Sequence, residues 1–198
     1  MIRPRWRGWL AGAAALAGAL APVAGSPYRR AVRSIDVAEL ARIVADHEDH
    51  VSAIELAGWL RAGRPRLRVI DVRSAAEFAA YHIPGAEHVA LDRLAATPFA
   101  ADDTLVLYSE LGVHAGQAWV FLRALGHHRV VFLRNGLHEW LDDVMSPTIA
   151  AGAPADDQAA FDRVAELSRW FGGTPRRLAG PATTTSAAGS PHATRRGC

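Results

Sequence analysis

A short loop between an apolar strand and a helix contains the residues best suited to chemistry in this chain. Leu105–Tyr108 has the length and composition of a buried strand, and we expect a helix from Gly116 to Gly126. A strand that leads through a tight loop into a helix N-terminus directs several backbone N–H groups at one point. This geometry suits an anion or an activated nucleophile. The candidate binding loop consists of Ser109, Glu110, Leu111, Gly112, Val113, His114 and Ala115.

Two side chains of this loop form a candidate hydrolytic pair. Ser109 and His114 are a nucleophile and a base, but a hydrolase also needs a group that orients the histidine, and no such carboxylate can be identified. The alternative is a structural role, in which the Ser109 hydroxyl at the end of the strand accepts hydrogen bonds from N–H groups of the loop. Glu110 is expected to direct its carboxylate into the ring of N–H donors, where it would oppose an anionic ligand.

Two further features have both a chemical and a structural interpretation. Cys198 is the only cysteine, so an intramolecular disulfide is excluded. The neighbouring Arg195 and Arg196 favour the thiolate form of Cys198. One interpretation is that Cys198 is a mobile sulfur or redox carrier that docks on the loop. The other is that it is an incidental exposed thiol. His47 and His50 lie among carboxylates, but no further ligands stand at a diagnostic spacing. We therefore predict neither a metal nor a cofactor.

The elements that position the loop alternate between strands and helices. Strands are predicted at residues 67–72, 88–90, 105–108 and 129–133, and helices begin after Asp36, Ser52, Ser74 and Asn135 and near Asp92. This alternation over about 80 residues predicts an α/β fold with a parallel sheet and helices on both of its faces. Three aromatic side chains are expected to fill the interface between helices and sheet, namely Trp119, Phe121 and Trp140.

The termini differ in composition from the centre of the chain. Arg3, Arg5 and Arg7 precede an Ala/Leu/Gly run, so residues 1–25 are predicted to be a secretory signal peptide, with an inner-membrane anchor through residues 9–25 as the alternative. We assign residues 26–51 to an N-terminal helical extension, 52–147 to the central domain and 148–173 to a linker and C-terminal helix. Residues 174–198 are too poor in apolar side chains to fold and are predicted to be a disordered tail.

The overall composition limits the partners of the protein. Half of the residues are hydrophobic, 21% are charged and the formal net charge is only +2. These values are typical of a globular protein and do not indicate nucleic-acid binding.

Because a signal peptide is predicted, the expected location of the protein is the periplasm or the exterior of the cell. A membrane contact is expected only if the N-terminal segment stays attached.

Three short motifs resemble those of the rhodanese-like domain family. Val69-Ile70-Asp71-Val72-Arg73 followed by Glu77-Phe78 resembles the first-strand motif, and His82-Ile83-Pro84-Gly85-Ala86 resembles the second. Asn135-Gly136-Leu137 with Trp140 is similar to the closing motif. The resemblance spans about residues 52–144 and implies a five-stranded parallel sheet flanked by helices. It also implies that Asp71 and Arg73 support the loop.

The resemblance further implies sulfur transfer through a persulfide on a cysteine, which this loop lacks. The family's nucleophile position falls on Ser109, and its loop arginine position falls on His114. A serine hydroxyl has neither the acidity nor the capacity for a reversible sulfur–sulfur bond. We therefore expect a binding or regulatory module with an unidentified protein partner in the cell envelope. The alternatives are a sulfurtransferase or thiol-redox enzyme that uses Cys198, and a Ser109/His114 hydrolase.

Overall fold

The computed structural model describes residues 36–179, which form six α-helices, two further helical segments and seven strands. The helices and strands follow in the order α1 (Val37–Ala45), β1 (His50–Val51), α2 (Ala53–Arg61), β2 (Leu67–Asp71), α3 (Ala75–Ala80), β3 (Glu87–His88), β4 (Thr104–Tyr108), α4 (Val113–Ala124), β5 (Val130–Leu133), α5 (Gly136–Glu139), β6 (Thr148–Ile149), α6 (Ala155–Trp170) and β7 (Arg176–Arg177). A 3-10 segment at Leu91–Ala96 precedes β4, and a π-helical segment at Trp140–Met145 follows α5.

Five of the strands form one parallel sheet in the order β1-β5-β4-β2-β3. All five residues of β4 are buried, because this strand lies at the centre of the sheet. Its side chains alternate between the two faces: Val106 and Tyr108 belong to the core beneath α2, α5 and α6, whereas Leu105 and Leu107 belong to the core beneath α1 and α4. The predicted α/β fold with a five-stranded parallel sheet and helices on both faces is confirmed.

The helix starts follow the predicted capping residues. The carboxylate of Asp36 accepts hydrogen bonds from two amides of α1, and the hydroxyl of Ser52 accepts one from the Glu55 amide. Ser74 and Glu77 form a complete capping box at α3. These side chains satisfy N–H groups that have no acceptor within their own helix.

Several elements differ from the sequence-based expectation. Strand β1 at residues 50–51, which was not predicted, pairs with β5 and belongs to the sheet. Helix α4 begins at Val113 and not at Gly116, because Gly112 in the left-handed region already starts the helix. Phe121 is 52% exposed and lies on the outer face of α4, so its predicted place in the core was wrong, whereas Trp119 and Trp140 are buried.

The predicted boundary of the disordered tail at residue 174 was also wrong. Arg176–Arg177 forms strand β7, which pairs in parallel with β6. The amide of Thr174 donates to the carbonyl of Met145, and the amide of Leu178 donates to that of Ile149. Residues 180–198, which hold the rest of this predicted tail and Cys198, lie outside the described residues.

The predictions for the N-terminal part of the chain fall only partly within the described residues. The signal peptide or anchor expected at residues 1–25 lies outside the described range, as do residues 26–35 of the predicted helical extension. From residue 36 the extension contains α1, as expected. Among residues 36–179, no helix has both the length and the apolar character needed to cross a membrane.

Candidate functional site: the loop after strand β4

The candidate loop follows the central strand of the sheet and is shorter than predicted. Only residues 109–112 lie between β4 and α4, while Val113, His114 and Ala115 belong to the first turn of the helix. Gly112 has a φ of +84°, and a Cβ at this position would lie 3.3 Å from the amide nitrogen of Asn135. Glycine is therefore required by both the backbone conformation and the close approach of the next loop.

The start of α5 holds the back of this loop through backbone contacts. The Leu137 amide donates to the Ser109 carbonyl at 2.8 Å, and the His138 amide donates to the Glu110 carbonyl at 3.2 Å. Gly136 makes this approach possible: a Cβ here would collide with the Ser109 carbonyl oxygen and lie 2.7 Å from the Gly112 nitrogen. The Asn135-Gly136 turn thus fixes the loop position as well as reversing the chain.

The hydroxyl at the family's nucleophile position is enclosed. Ser109 is only 3% exposed, and its Oγ accepts a hydrogen bond of 3.3 Å from the Ala115 amide. Within the described part of the chain, no hydrogen bond joins Ser109 to His114, which is exposed. The geometry therefore matches the structural interpretation of Ser109 and lacks the contact that a nucleophile–base pair requires.

A buried ion pair lies beside the loop and extends to it. The guanidinium of Arg73 contacts both carboxylate oxygens of Asp71, with Nη2 at 2.7 Å from Oδ2, and Nη2 also donates to the Tyr81 carbonyl at 2.7 Å. Its Nη1 lies 3.0 Å from a carboxylate oxygen of Glu110. The expectation that Glu110 directs its carboxylate into the ring of N–H donors was wrong, because Arg73 draws this side chain away from the donors.

The pKa values in this network reflect burial and charge. Burial lowers the pKa of Arg73, but the hydrogen bonds and charge of Asp71 outweigh burial and hold this pKa above its ordinary value. Burial, followed by a hydrogen bond with Asp71, raises the pKa of Tyr108. Arg73 is therefore a permanent cation that two carboxylates already neutralise, and Tyr108 stays protonated.

The mouth of the site is a cavity of about 240 Å³ with an apolar rim. Leu111 and Val113 are 63% and 66% exposed at this rim. His114 also lines this mouth. It lies close enough to Glu77 to contribute to lowering the pKa of that carboxylate, although the hydrogen bonds from Ser74 contribute most. The rim is therefore mainly apolar, and the polar side chains at the mouth are those of Ser109, Glu110 and His114.

The residues that support the site were only partly accessible to sequence reasoning. The structure brings the predicted pair Asp71 and Arg73 together and connects it to Glu110. The polar role of the Tyr108 hydroxyl was not predicted, because a tyrosine within an apolar strand is expected to be a core residue. Its hydroxyl accepts a hydrogen bond from the Ile83 amide at 3.2 Å. The role of Gly136 in holding the loop was missed as well, although the Asn135-Gly136 turn itself was predicted.

The histidine-rich segment forms no metal site in the described part of the chain. Nδ1 of His50 lies 2.8 Å from a carboxylate oxygen of Asp49, and the rings of His47 and His50 meet edge to face. Among residues 36–179, no group of three or more histidine, cysteine, aspartate or glutamate side chains is arranged to hold a metal ion.

Two of the known proteins that resemble this chain carry sulfurtransferase names. The chain is 30% identical to the probable adenylyltransferase/sulfurtransferase MoeZ of Mycobacterium tuberculosis over 54% of its own length but only 29% of that protein. It is 28% identical to the thiosulfate sulfurtransferase of Pseudomonas aeruginosa over 65% of this chain and 62% of that one. The chain thus spans less than two thirds of the length of each of these relatives.

The sequence of the central domain identifies the family. Residues 52–143 match the family model of the rhodanese-like domain. A human single-domain sulfurtransferase of known structure is 31% identical, and the match covers 47% of this chain and 95% of the human protein, with a TM-score of 0.43. Through residues 52–143, the chain belongs to the rhodanese-like domain family.

Proposed function

We propose that this protein is a rhodanese-like binding or regulatory module that does not perform persulfide chemistry at its central loop. The observation that carries the proposal is the enclosed hydroxyl of Ser109, which is 3% exposed and holds the Ala115 amide. A sulfurtransferase needs an accessible thiolate at this position, and a serine does not form a persulfide.

The charges around the loop support the same proposal. Arg73 lies beside the loop and is engaged by Asp71 and Glu110, so it is not available to an incoming thiosulfate or phosphate. His114 stands where the family's loop arginine stands and lacks its permanent charge. Anionic substrates are therefore recognised poorly at this mouth.

The exposed apolar rim supports binding to a protein. Leu111 and Val113 project from a loop that two backbone hydrogen bonds hold in place. Presenting apolar side chains on a fixed loop lowers the entropic cost of association. We propose that this rim contacts a protein partner in the cell envelope.

The activity half of the proposal is tested by thiocyanate formation from thiosulfate and cyanide. The wild type and the Cys198→Ser variant should give no thiocyanate above a protein-free control. The Ser109→Cys variant introduces a thiol on the same backbone, and mass spectrometry should detect its persulfide after incubation with thiosulfate. Robust activity in the wild type contradicts the proposal, and its loss in Cys198→Ser would assign that activity to the terminal cysteine.

The binding half is tested by genetic complementation of a strain that lacks the protein. Ser109→Ala should restore the wild-type phenotype because the hydroxyl performs no chemistry. A Leu111→Asp/Val113→Asp variant should fail, since both changes place charge on the apolar rim. Asp92→Asn is a suitable control, because Asp92 is exposed far from this loop in sequence. Failure of Ser109→Ala in a variant whose thermal melt matches that of the wild type would indicate chemistry at this residue, because loss of the hydrogen bond to the Ala115 amide alone would lower the melting temperature.

We also propose that the protein is exported, on the basis of the basic and apolar segment within residues 1–25. The intact mass of the protein recovered from the periplasmic fraction should correspond to cleavage near Ala24. A full-length mass in the membrane fraction would favour the anchor, and recovery from the cytoplasm would exclude both.

A further inference from the structure

A second and larger concave surface lies away from the loop, against helix α6. Its volume is about 760 Å³, and it is bounded by α6, the π-helical segment and the β6–β7 pair. Its walls are apolar at Ile54, Ile149 and Phe161, and three carboxylates line it, those of Asp142, Asp143 and Asp157. We call this surface the acidic groove.

The carboxylates of the acidic groove are poorly neutralised within residues 36–179. Neither Asp143 nor Asp157 has an ion-pair partner there, and Asp142 contacts only the imidazole of His138, at 3.4 Å. Burial, together with the charges of Glu139 and Asp142, raises the pKa of Asp143, whereas Arg134 opposes this change.

Among the described residues that line the acidic groove, Arg176 alone has a cationic side chain. Arg177 lies over the Phe161 ring but is paired with Asp162. Three carboxylates around one guanidinium leave the groove with an excess of negative charge. Apolar side chains line the groove beside these carboxylates, so the groove fits a cation that carries an aliphatic stem.

The chain leaves the described region at the edge of this groove. The amide of Arg176 donates to the carbonyl of Pro147 at 2.8 Å, which places β7 against the segment that lines the groove. Residues 180–198 follow directly. They contain Arg195 and Arg196 and no acidic residue, so their charge is opposite to that of the groove.

We propose that the acidic groove binds the C-terminal segment of the same chain, with Arg195 and Arg196 against Asp142, Asp143 and Asp157. An arginine offers both an aliphatic stem for the apolar walls and a planar donor group for carboxylates. The sixteen peptide links from Ala179 to Arg195 reach up to about 55 Å when extended, so the contact requires no change in the described fold. The proposal concerns a surface other than the loop and is independent of the function proposed for it.

The unique cysteine makes this contact measurable in the full-length chain. A nitroxide attached to Cys198 broadens the amide resonances of residues close to it, and reduction of the nitroxide restores them. Tethering gives a segment of this length an effective concentration near the millimolar range, so a large part of the population should be bound. The amide resonances of Ile149 and Val164 should therefore have about half or less of the intensity that they show after the nitroxide is reduced. The amides of Arg64 and Arg129, which line a different cavity, should keep theirs.

Two variants establish whether charge holds the segment in place. Asp142→Asn/Asp143→Asn/Asp157→Asn should restore most of the intensity at Ile149 and Val164, and so should Arg195→Gln/Arg196→Gln, which leaves the described fold untouched. Asp46→Asn/Asp92→Asn/Asp102→Asn changes the net charge equally outside the groove and should leave the broadening unchanged.

Two results would overturn the proposal. The first is broadening centred on the loop at residues 109–114 that is insensitive to the groove variants. The second is uniform intensity across the described residues in the wild type.

Discussion

Replacing Gly136 by alanine tests how tightly the loop is fixed to helix α5. Gly136 has a φ of +59°, and the left-handed region costs a residue with a Cβ about 1–2 kcal/mol. The new methyl group would also overlap the Ser109 carbonyl oxygen and lie 2.8 Å from the Glu110 carbonyl oxygen. Relief of this overlap separates the loop from α5.

The separation breaks the two backbone hydrogen bonds that join these elements. Each bond contributes about 0.5–1.5 kcal/mol to stability, so Gly136→Ala should lower the free energy of unfolding by about 2–5 kcal/mol in total. For a chain of this size, this corresponds to a fall in Tm of roughly 5–15 °C. Urea denaturation and a thermal melt followed by circular dichroism measure both quantities.

Gly63→Ala is the matched control for this substitution. Gly63 has nearly the same backbone conformation, with a φ of +62°, but no atom lies within 4 Å of a Cβ built there. Its alanine variant should lose only the conformational contribution of about 1–2 kcal/mol. Equal losses in the two variants would refute the argument that contact between the loop and α5 determines the cost at Gly136.

Three further substitutions probe the surroundings of the site. Asp71→Asn leaves Arg73 buried without its full counter-charge and should cost about 3–5 kcal/mol in urea denaturation; a loss below about 1 kcal/mol would be inconsistent with a buried pair. A hydrogen bond from Arg68 holds the pKa of Glu87 below its ordinary value of 4.5, so this carboxylate stabilises the fold fully above that pH. The stability deficit of Glu87→Gln should therefore shrink as the pH falls below 4.5 and vanish once the pH is below the pKa of Glu87 in the folded state, which urea denaturation at a series of pH values measures. Trp140→Phe removes a buried indole and its hydrogen bond and should cost about 2 kcal/mol, which the same denaturation series measures.

The elements with a local signal were those that the sequence predicted well. Capping side chains at Asp36, Ser52 and Ser74 act within three residues of themselves, so their pattern suffices to locate helix starts. Strand β1 has only two residues, which is too short for any periodicity. It exists because its backbone pairs with β5, a contact that is remote in sequence.

The residue types of the candidate site could be taken from the sequence, but its geometry could not. The residue types at positions 109 and 114 already argued against persulfide transfer. The direction of the Glu110 side chain was not predictable, because it depends on Arg73, which lies 37 positions away. Likewise, the spacing of aromatic residues on α4 does not reveal that Phe121 faces away from the sheet. The acidic groove combines residues from three separate segments and has no local motif.

The attachment of the loop to α5 has a consequence for the kinetics of the partner binding that we propose at its rim. Because the backbone around Ser109 and Glu110 is hydrogen-bonded to a neighbouring element, the rim that carries Leu111 and Val113 is preorganised for encounter. Association then needs no prior rearrangement and should fall in the ordinary range of about 10⁵–10⁷ M⁻¹s⁻¹. Partners that differ in affinity for this rim should accordingly differ in their dissociation rate constants and not in their association rate constants.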